Sequence, residues 1–225
     1  MWIKVCGLNN SDNLKSVLEL PIDMVGFIFY EKSPRKIIPN KILPWLEKNE
    51  SSFKNIKRVG VFVNQPLEDI LNLSADFNFD YVQLHGDESP EYCDELNIYK
   101  SALSTSQFKI IKALPGNSPD LEKNLTRFSP FCDMFLLDNK NLEGNFGGTG
   151  TSFDWTILNE INIPKPFLLS GGIKPNDLKE ILKFYHPQCR GFDINSKFET
   201  SPGIKDISLI EEFSKIIKSN FDDYN

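Results

Sequence analysis

Short hydrophobic runs recur along the chain, and several are apolar at consecutive rather than alternate positions. Examples are the segments 25–29, 59–63 and 135–137. Strands that are apolar on both faces are typical of parallel sheets covered by helices. We therefore predict eight buried strands, which are Trp2–Cys6, Met24–Tyr30, Arg58–Val63, Tyr81–His85, Lys109–Leu114, Met134–Asp138, Phe167–Ser170 and Gly191–Asn195.

Most of the segments between these strands have the pattern of a helix with one buried face. Apolar residues recur there three and four positions apart, which predicts helices over Ser11–Leu20, Pro66–Phe77, Lys174–Tyr185 and Asp206–Ser219. The Ser-Pro-Glu sequence at 89–91 indicates another helix start, with an N-cap, a first-turn proline and an acid. Between the sixth and seventh strands we predict only a short helix after Asp154.

The spacing of the strands indicates the architecture. Their starts lie 22 to 34 residues apart, and eight strand–helix units in a chain of near this length are typical of a (β/α)8 barrel. A doubly wound open sheet is the alternative, but it usually has about five or six strands, and no Gly-x-Gly-x-x-Gly motif follows the first strand. We find no linker and predict one barrel domain over residues 1–225.

The charge balance narrows the class of partner. Lys and Arg number 25 against 31 Asp and Glu, which gives a formal net charge of −6 at pH 7. An acidic chain without a basic cluster binds polyanions poorly, so we expect neither nucleic acid nor a membrane surface as partner. A small phosphorylated ligand is compatible with this charge, because backbone amides hold phosphate without net positive charge.

The cysteines and the hydropathy pattern indicate the compartment. The four cysteines, at positions 6, 93, 132 and 189, form no Cys-x-x-Cys motif and no cluster with histidine. This distribution indicates reduced thiols and neither a disulfide framework nor a zinc site. The N-terminal segment lacks the apolar run of a signal peptide, and no window reaches 18 uninterrupted apolar residues. We expect a cytoplasmic protein without a metal site.

The chemistry of a (β/α)8 barrel lies where its strands end and the following loops begin. Polar residues or glycines stand at or after several predicted strand ends, namely Cys6, Arg35, Gln83, His85, Asp138, Gly171, Gly172, Asp193, Asn195 and Ser196. Cys6 is a candidate base or nucleophile, although free cysteines are often buried core residues. Asp138 is a candidate acid, although a carboxylate in this position also caps turns.

Other residues of this set are candidate substrate contacts. The loops after the seventh and eighth strands of a barrel frequently bind phosphate, which favours the segments 171–172 and 195–196. The guanidinium of Arg35 is suited to a carboxylate, although a charged loop of this kind is usually solvated. The glycine-rich segment 144–150 is either a lid over the substrate or a surface loop.

Strand alternation predicts which side chains share a face. Gln83 and His85 are two positions apart and share one face of the fourth strand. We place them at the substrate site, with a hydrogen-bonded core histidine as the alternative. On the first strand we expect Lys4 to point away from Cys6.

Ordered motifs run along almost the whole chain. They are KVCGL at 4–8, GFIFY at 26–30, SPR at 33–35, VGVFVN at 59–64, VQLHG at 82–86, LLD at 136–138, GGTG at 147–150, FDW at 153–155, LSGG at 169–172, DINS at 193–196 and PGIKD at 202–206. This set resembles the phosphoribosylanthranilate isomerases of tryptophan biosynthesis. The resemblance implies a (β/α)8 barrel of the ribulose-phosphate-binding type and a cofactor-free Amadori rearrangement of a phosphoribosyl aminobenzoate.

The resemblance also implies roles for individual residues. Asp138 is implied as the general acid that protonates the ribose ring oxygen, and Cys6 as the general base that takes the C2 proton. Arg35 is similar to the family residue that meets the anthranilate carboxylate, and the amides around 171–172 and 195–196 match the phosphate cradle. Two positions depart from the family pattern, because Asn9 replaces a common Thr and Lys197 replaces a common Gly.

Two other functions stay open on the residues alone. Another phosphate-binding barrel, such as indole-glycerol-phosphate synthase or a pentose-phosphate epimerase, is expected to carry a strand-end lysine or a metal constellation. Here the strand ends carry Cys, Asp and Arg, and His85 is the only histidine in a predicted strand. A barrel that binds a phosphorylated ligand or a partner protein without turnover is the third interpretation. As an isomerase, the chain is expected to act as a monomer or homodimer.

Overall fold

Eight parallel strands close into a barrel and follow one another around it in their chain order. In the computed structural model, which describes residues 1–102, 107–139 and 154–221, β1 pairs with β8 to complete the closure. The strands are β1 (Trp2–Cys6), β2 (Met24–Ile28), β3 (Lys57–Phe62), β4 (Tyr81–Leu84), β5 (Lys109–Pro115), β6 (Met134–Asp138), β7 (Phe167–Leu169) and β8 (Cys189–Ile194). The predicted (β/α)8 fold class is confirmed, and every strand begins within two residues of its prediction.

Helices cover the outside of the barrel. They are α1 (Ser11–Leu18), α2 (Pro39–Lys48), α3 (Leu67–Phe77), α4 (Pro90–Ala102), α5 (Leu121–Phe128), α6 (Leu178–Ile181) and α7 (Ile207–Phe221). Four 3₁₀ turns add to them, at Glu50–Phe53, Trp155–Glu160, Pro175–Asp177 and Ser196–Phe198. After β8 the chain forms a small antiparallel hairpin from β9 (Glu199–Ser201) and β10 (Ile204–Lys205).

The prediction of one helix over Lys174–Tyr185 is wrong. The segment begins as a 3₁₀ turn and continues only as the four-residue helix α6. Leu182 and Tyr185, which we had assigned to a buried helix face, are exposed, whereas Phe184 is buried. The buried residues of this segment therefore do not follow a continuous helical period.

Two helices lie where we made no specific prediction. α2 contains Pro44, which removes an intrahelical hydrogen bond and is unusual in a helix interior. α5 buries Leu121, Leu125 and Phe128, which are four and then three positions apart. The pattern of α5 was thus present in the sequence, whereas the proline obscured that of α2.

Apolar side chains fill two separate layers. Inside the barrel, the inward-facing set consists of Cys6, Met24, Val59, Val61, Tyr81, Ile111, Ala113, Met134, Leu136 and Leu168. A larger cluster lies between the strands and the helices. Because side chains alternate between these layers along each strand, the polar residues that continue the inward-facing series are held at the mouth of the barrel.

A buried ion pair lies in the outer layer and anchors the loop after β4. Lys112 Nζ lies 2.7 Å from Glu88 Oε2 and also donates to the carbonyls of Leu84 and Gly86. The Glu88 carboxylate accepts from the backbone amides of Gly86 and Asn64. These bonds fix the backbone on both sides of residue 85.

The cysteines are free thiols and all four are buried. Cys189 is the first residue of β8, which begins two residues before its predicted start. Within the described ranges, no helix combines the length and the apolar composition that a bilayer crossing requires.

Replacing Lys112 with Met leaves the Glu88 carboxylate buried without its cation. We expect the free energy of unfolding to fall by about 3–5 kcal/mol, measured by urea denaturation. The double variant Lys112→Met/Glu88→Gln keeps a hydrogen-bond acceptor without the charge and should recover part of the loss. The control is Lys215→Met, which removes an exposed ion pair with Glu211 and should change stability by less than about 1 kcal/mol. An equally small loss for Lys112→Met would contradict the anchoring role.

Candidate active site

The predicted site residues lie at or just beyond the carboxyl ends of their strands. Cys6 is the last residue of β1 and Asp138 is the last residue of β6. His85 directly follows β4, and Asn195 directly follows β8. The strands are parallel, so these side chains share one mouth of the barrel.

The registers of neighbouring strands place the thiol and the carboxyl at similar heights. Leu137 of β6 is aligned with Leu169 of β7, Leu169 with Phe192 of β8, and Phe192 with Ile3 of β1. Asp138 follows Leu137 and is therefore aligned with Lys4, which follows Ile3. Cys6 lies two positions beyond Lys4, at the next inward-facing position of β1 toward the mouth of the barrel.

Cys6 is enclosed on all sides. Only 4% of the residue is exposed, and β2 places Gly26 opposite it. A Cβ atom at Gly26 would lie 2.8 Å from the Cys6 sulfur, so a larger residue there would displace the thiol. Burial raises the pKa of the Cys6 thiol, although the positive charges of Lys4 and Lys205 act in the opposite direction.

Lys4 lies beside Cys6, and the prediction that it points away is wrong. The two residues are two positions apart on β1, and strand alternation puts such residues on the same face. Lys4 Nζ forms a 2.9 Å ion pair with Asp193 Oδ1, and Lys4 and Cys6 interact electrostatically. Burial alone would lower the pKa of Lys4, but the attraction of Asp193 and Cys6 outweighs it and the pKa is raised.

The Asp138 carboxylate is held from two sides. Its Oδ1 accepts from the backbone amide of Asn139 at 2.7 Å, and its Oδ2 lies 3.2 Å from His85 Nε2. Gln83 Nε2 lies 2.8 Å from His85 Nδ1, and because an amide NH2 group only donates, this contact assigns the ring proton of His85 to Nε2. Gln83 is buried, and its side-chain oxygen has no hydrogen-bond partner among the described residues. Gln83 contacts His85 and His85 contacts Asp138, so the three side chains lie in a row that ends at the carboxylate.

Arg35 is bound to the hairpin after β8. Its Nε lies 3.0 Å from both carboxylate oxygens of Glu199, and its Nη2 lies 2.8 Å from Glu199 Oε2. Lys205 Nζ also binds Glu199, at 2.6 Å, and Asn195 Oδ1 at 2.8 Å. Burial would raise the pKa of Glu199, but Arg35 and Lys205 lower it. Burial lowers the pKa of Lys205, against the attraction of Glu199.

The segments after β7 and β8 contain two glycines with positive φ and a 3₁₀ turn. Gly171 and Gly172 have φ angles of 91° and 78°, which favour glycine, and a Cβ at Gly171 would lie 2.5 Å from the Asn139 amide nitrogen. In the part of the chain that the structure describes, neither glycine amide has an acceptor. The chain after β8 turns at Ser196, which begins a 3₁₀ turn. These are the positions predicted for phosphate.

The two departures from the family pattern have local structural explanations. Lys197 lies inside the 3₁₀ turn and is not among the described residues with positive φ, so no glycine is needed there. The Asn9 side chain packs against Gly203 in the hairpin turn. The predicted lid, Gly144–Gly150, lies outside the described residues.

Three charged residues of this site, Lys4, Glu199 and Lys205, were not predicted as site residues from the sequence. The direction of Lys4 could have been found from the alternation along β1. Glu199 and Lys205 belong to the polar stretch that follows the last strand, but their partners are known only once the chain has folded.

The amino-acid sequence matches a known protein family over almost its whole length. A family model described as N-(5'-phosphoribosyl)anthranilate (PRA) isomerase matches residues 3–216. An N-(5'-phosphoribosyl)anthranilate isomerase from Parabacteroides distasonis is 40% identical over 214 residues, which cover 95% of this chain and 91% of that protein.

Solved structures agree with this result. The phosphoribosyl anthranilate isomerase of Thermotoga maritima, also described as dimeric, superposes with a TM-score of 0.80 at 31% identity, covering 97% of this chain and 99% of that one. A phosphoribosyl anthranilate isomerase in complex with reduced 1-(o-carboxyphenylamino)-1-deoxyribulose 5-phosphate gives a TM-score of 0.76 at 29% identity, with coverage of 97% and 99%. The chain belongs to the family of N-(5'-phosphoribosyl)anthranilate isomerases.

Proposed function

We propose that the protein converts N-(5'-phosphoribosyl)anthranilate to 1-(2-carboxyphenylamino)-1-deoxyribulose 5-phosphate in tryptophan biosynthesis, by general acid–base catalysis without a cofactor. Membership in the family supports the substrate and the reaction. The observation that carries the mechanism is that a thiol and a carboxyl end β1 and β6 at the same mouth. An aldose–ketose shift requires one proton donor and one proton acceptor, held against one sugar.

The reaction proceeds in two proton transfers. Asp138 donates a proton to the ribose ring oxygen, the bond from that oxygen to C1 breaks, and the nitrogen lone pair forms a Schiff base with C1. The Cys6 thiolate then takes the proton from C2, and the electrons of the C–H bond form an enolamine. The enolamine tautomerises to the ketone product.

The contacts of Asp138 suit the first step. His85 and the amide of Asn139 hold the carboxyl in one orientation, while part of its surface stays exposed. Gln83 fixes the tautomer of His85, so it supports the acid from a buried position instead of touching the substrate. His85 remains at the surface of the site and also lies within reach of a ligand.

The substrate is bound through its two anionic groups, the phosphate and the anthranilate carboxylate. The phosphate lies on the amides of Gly171 and Gly172 and on the segment that begins at Asn195 and Ser196. The anthranilate carboxylate meets Arg35, whose Nε and Nη2 are already bound by Glu199, so the other edge of the guanidinium faces the ligand. A fixed guanidinium is well suited to a planar carboxylate.

The interior position of Lys4 bears on the synthase alternative. The synthase is expected to carry a lysine at a strand end, and the expectation that Lys4 points away from Cys6 is wrong. Its ammonium lies inside the barrel, but Asp193 holds it in an ion pair. The choice of the isomerase therefore depends on the family match and on the Cys6 and Asp138 positions.

The proposal also covers the domain organisation, the cellular location, the oligomeric state and the partners of the protein. We infer that residues 1–225 act as one barrel domain in the cytoplasm, as a monomer or homodimer, with neither nucleic acid nor membrane as partner. The four free cysteines support a reducing compartment.

Replacing Asp138 with Asn removes the proton donor but keeps the shape of the side chain. We expect kcat to fall about 10²- to 10⁴-fold, while the dissociation constant of the phosphorylated product changes little. Turnover is measured by the fluorescence change of the aminobenzoate and product binding by calorimetry. Asp94→Asn, which changes an exposed carboxylate on α4, is the matched control. Full activity of Asp138→Asn would exclude Asp138 as the acid.

Replacing Cys6 with Ala removes the proton acceptor, and we expect a similar loss of kcat. In the unmodified protein, burial raises the pKa of the Cys6 thiol above its ordinary value, so kcat/KM should keep increasing with pH well into the alkaline range as the thiolate forms. The control is Cys189→Ala, a buried thiol at the opposite end of the barrel. Equal losses for the two cysteine variants would assign Cys6 a packing role only.

Replacing Arg35 with Ala removes the contact to the anthranilate carboxylate. We expect KM to increase about 10- to 100-fold with a smaller change in kcat, since a hydrogen bond to a charged group contributes about 1.5–3 kcal/mol. Steady-state kinetics of Arg35→Ala and of the exposed control Arg127→Ala measure the difference. An unchanged KM would remove Arg35 from substrate binding.

A further inference from the structure

The proposed mechanism makes no use of the ion pair between Lys4 and Asp193. Both side chains are buried, at 0% and 6% exposure, and the pair is aligned by the pairing of β1 with β8. Replacing such a pair by apolar residues is often neutral or stabilising, so stability is a weak reason for its presence. Its position beside Cys6 suggests a different role.

The carboxylate of Asp193 is occupied on both oxygens. Oδ1 accepts from Lys4 Nζ at 2.9 Å, and Oδ2 lies 3.4 Å from the hydroxyl of Ser170. The residue is also buried. These contacts leave Asp193 poorly placed for the substrate contact that the sequence analysis assigned to it.

Charged groups on three elements of the fold act electrostatically on Cys6. Lys4 comes from β1, Asp193 from β8 and Lys205 from β10, and Lys205 is linked through Glu199 to Arg35. These five side chains carry three positive charges and two negative charges. In the free protein, a thiolate at Cys6 would bring this set to zero, whereas a neutral thiol leaves one positive charge in excess.

We propose that Lys4 is a positioning residue that stabilises the thiolate of Cys6, and that Asp193 holds the Lys4 ammonium in place without touching the substrate. The inference rests on the proposed role of Cys6 as the base. A buried thiolate requires a nearby cation, because the interior does not solvate its charge. After the thiolate takes the C2 proton, the ammonium still has Asp193 as its partner, so no cation is left unpaired.

The test is a titration of Cys6 by the thiolate absorbance at 240 nm. Each protein is compared with the same protein carrying Cys6→Ala, and the difference isolates one thiol from tyrosines and from the other cysteines. Burial raises the pKa of Cys93, Cys132 and Cys189 to about 12, so they stay protonated over the range of interest.

Two single variants should move the titration midpoint in opposite directions. Lys4→Met removes the cation and should raise the midpoint by about one pH unit or more. Asp193→Asn leaves the ammonium unneutralised and should lower it. The control Lys15→Met removes an exposed cation on α1 and should leave the midpoint unchanged. Shifts of both single variants in the same direction, or no shift, would overturn the inference.

A double variant still measures the effect of Lys4 on the thiol midpoint if a single variant does not fold. Lys4→Met/Asp193→Asn leaves no unpaired charge, and the midpoint should lie above that of the unmodified protein, since the effect of Lys4 on Cys6 exceeds that of Asp193. A midpoint equal to that of the unmodified protein would refute the role of Lys4.

Enzyme kinetics separate this inference from the proposed function. If Cys6 is the base, the pH at which kcat/KM reaches half its maximum should follow the thiol midpoint in every variant. A shifted midpoint with an unshifted kinetic profile would support the effect of Lys4 and exclude Cys6 as the base. If the Lys4 variant is an active isomerase and its thiol midpoint is unshifted, the effect of Lys4 on Cys6 is excluded and the proposed function is unaffected.

Discussion

The pairing of the first strand with the last is the constraint on which the rest of the structure depends. It aligns Lys4 with Asp193, two residues 189 positions apart in the chain whose side chains meet at 2.9 Å. Without this closure the sheet would have two free edges, and the residues that end β1 and β6 would have no reason to share a mouth. The arrangement of the proposed catalytic residues is thus a direct consequence of how the barrel closes.

Much of the fold could be predicted from the hydrophobic pattern. Buried parallel strands are apolar at consecutive positions, so runs such as 25–28 and 135–137 are visible in the sequence, and polar residues mark where they end. The same property located Cys6 and Asp138, which are the last residues of their strands. The helices were less certain, because Pro44 obscures the helical pattern of α2 and the exposed Leu182 and Tyr185 extend the apparent helical pattern beyond α6.

Pairings between distant loops could not be predicted. Arg35 and Glu199 are 164 positions apart, and nothing in the local sequence of either indicates the other. The contact of His85 with Asp138 likewise depends on the registers of β4, β5 and β6. Lys4 is a different case, since simple alternation along β1 places it beside Cys6 and the error lay in applying the rule.

The three hydrogen bonds that Arg35 donates to Glu199 have a consequence for association with ligands. An arginine side chain that swings freely in water loses rotational freedom when a ligand captures it, and this loss weakens binding. Arg35 has already lost that freedom during folding, because the hairpin clasps it. An arriving anion therefore meets a guanidinium that is already ordered, and more of the attraction between them is expressed as affinity.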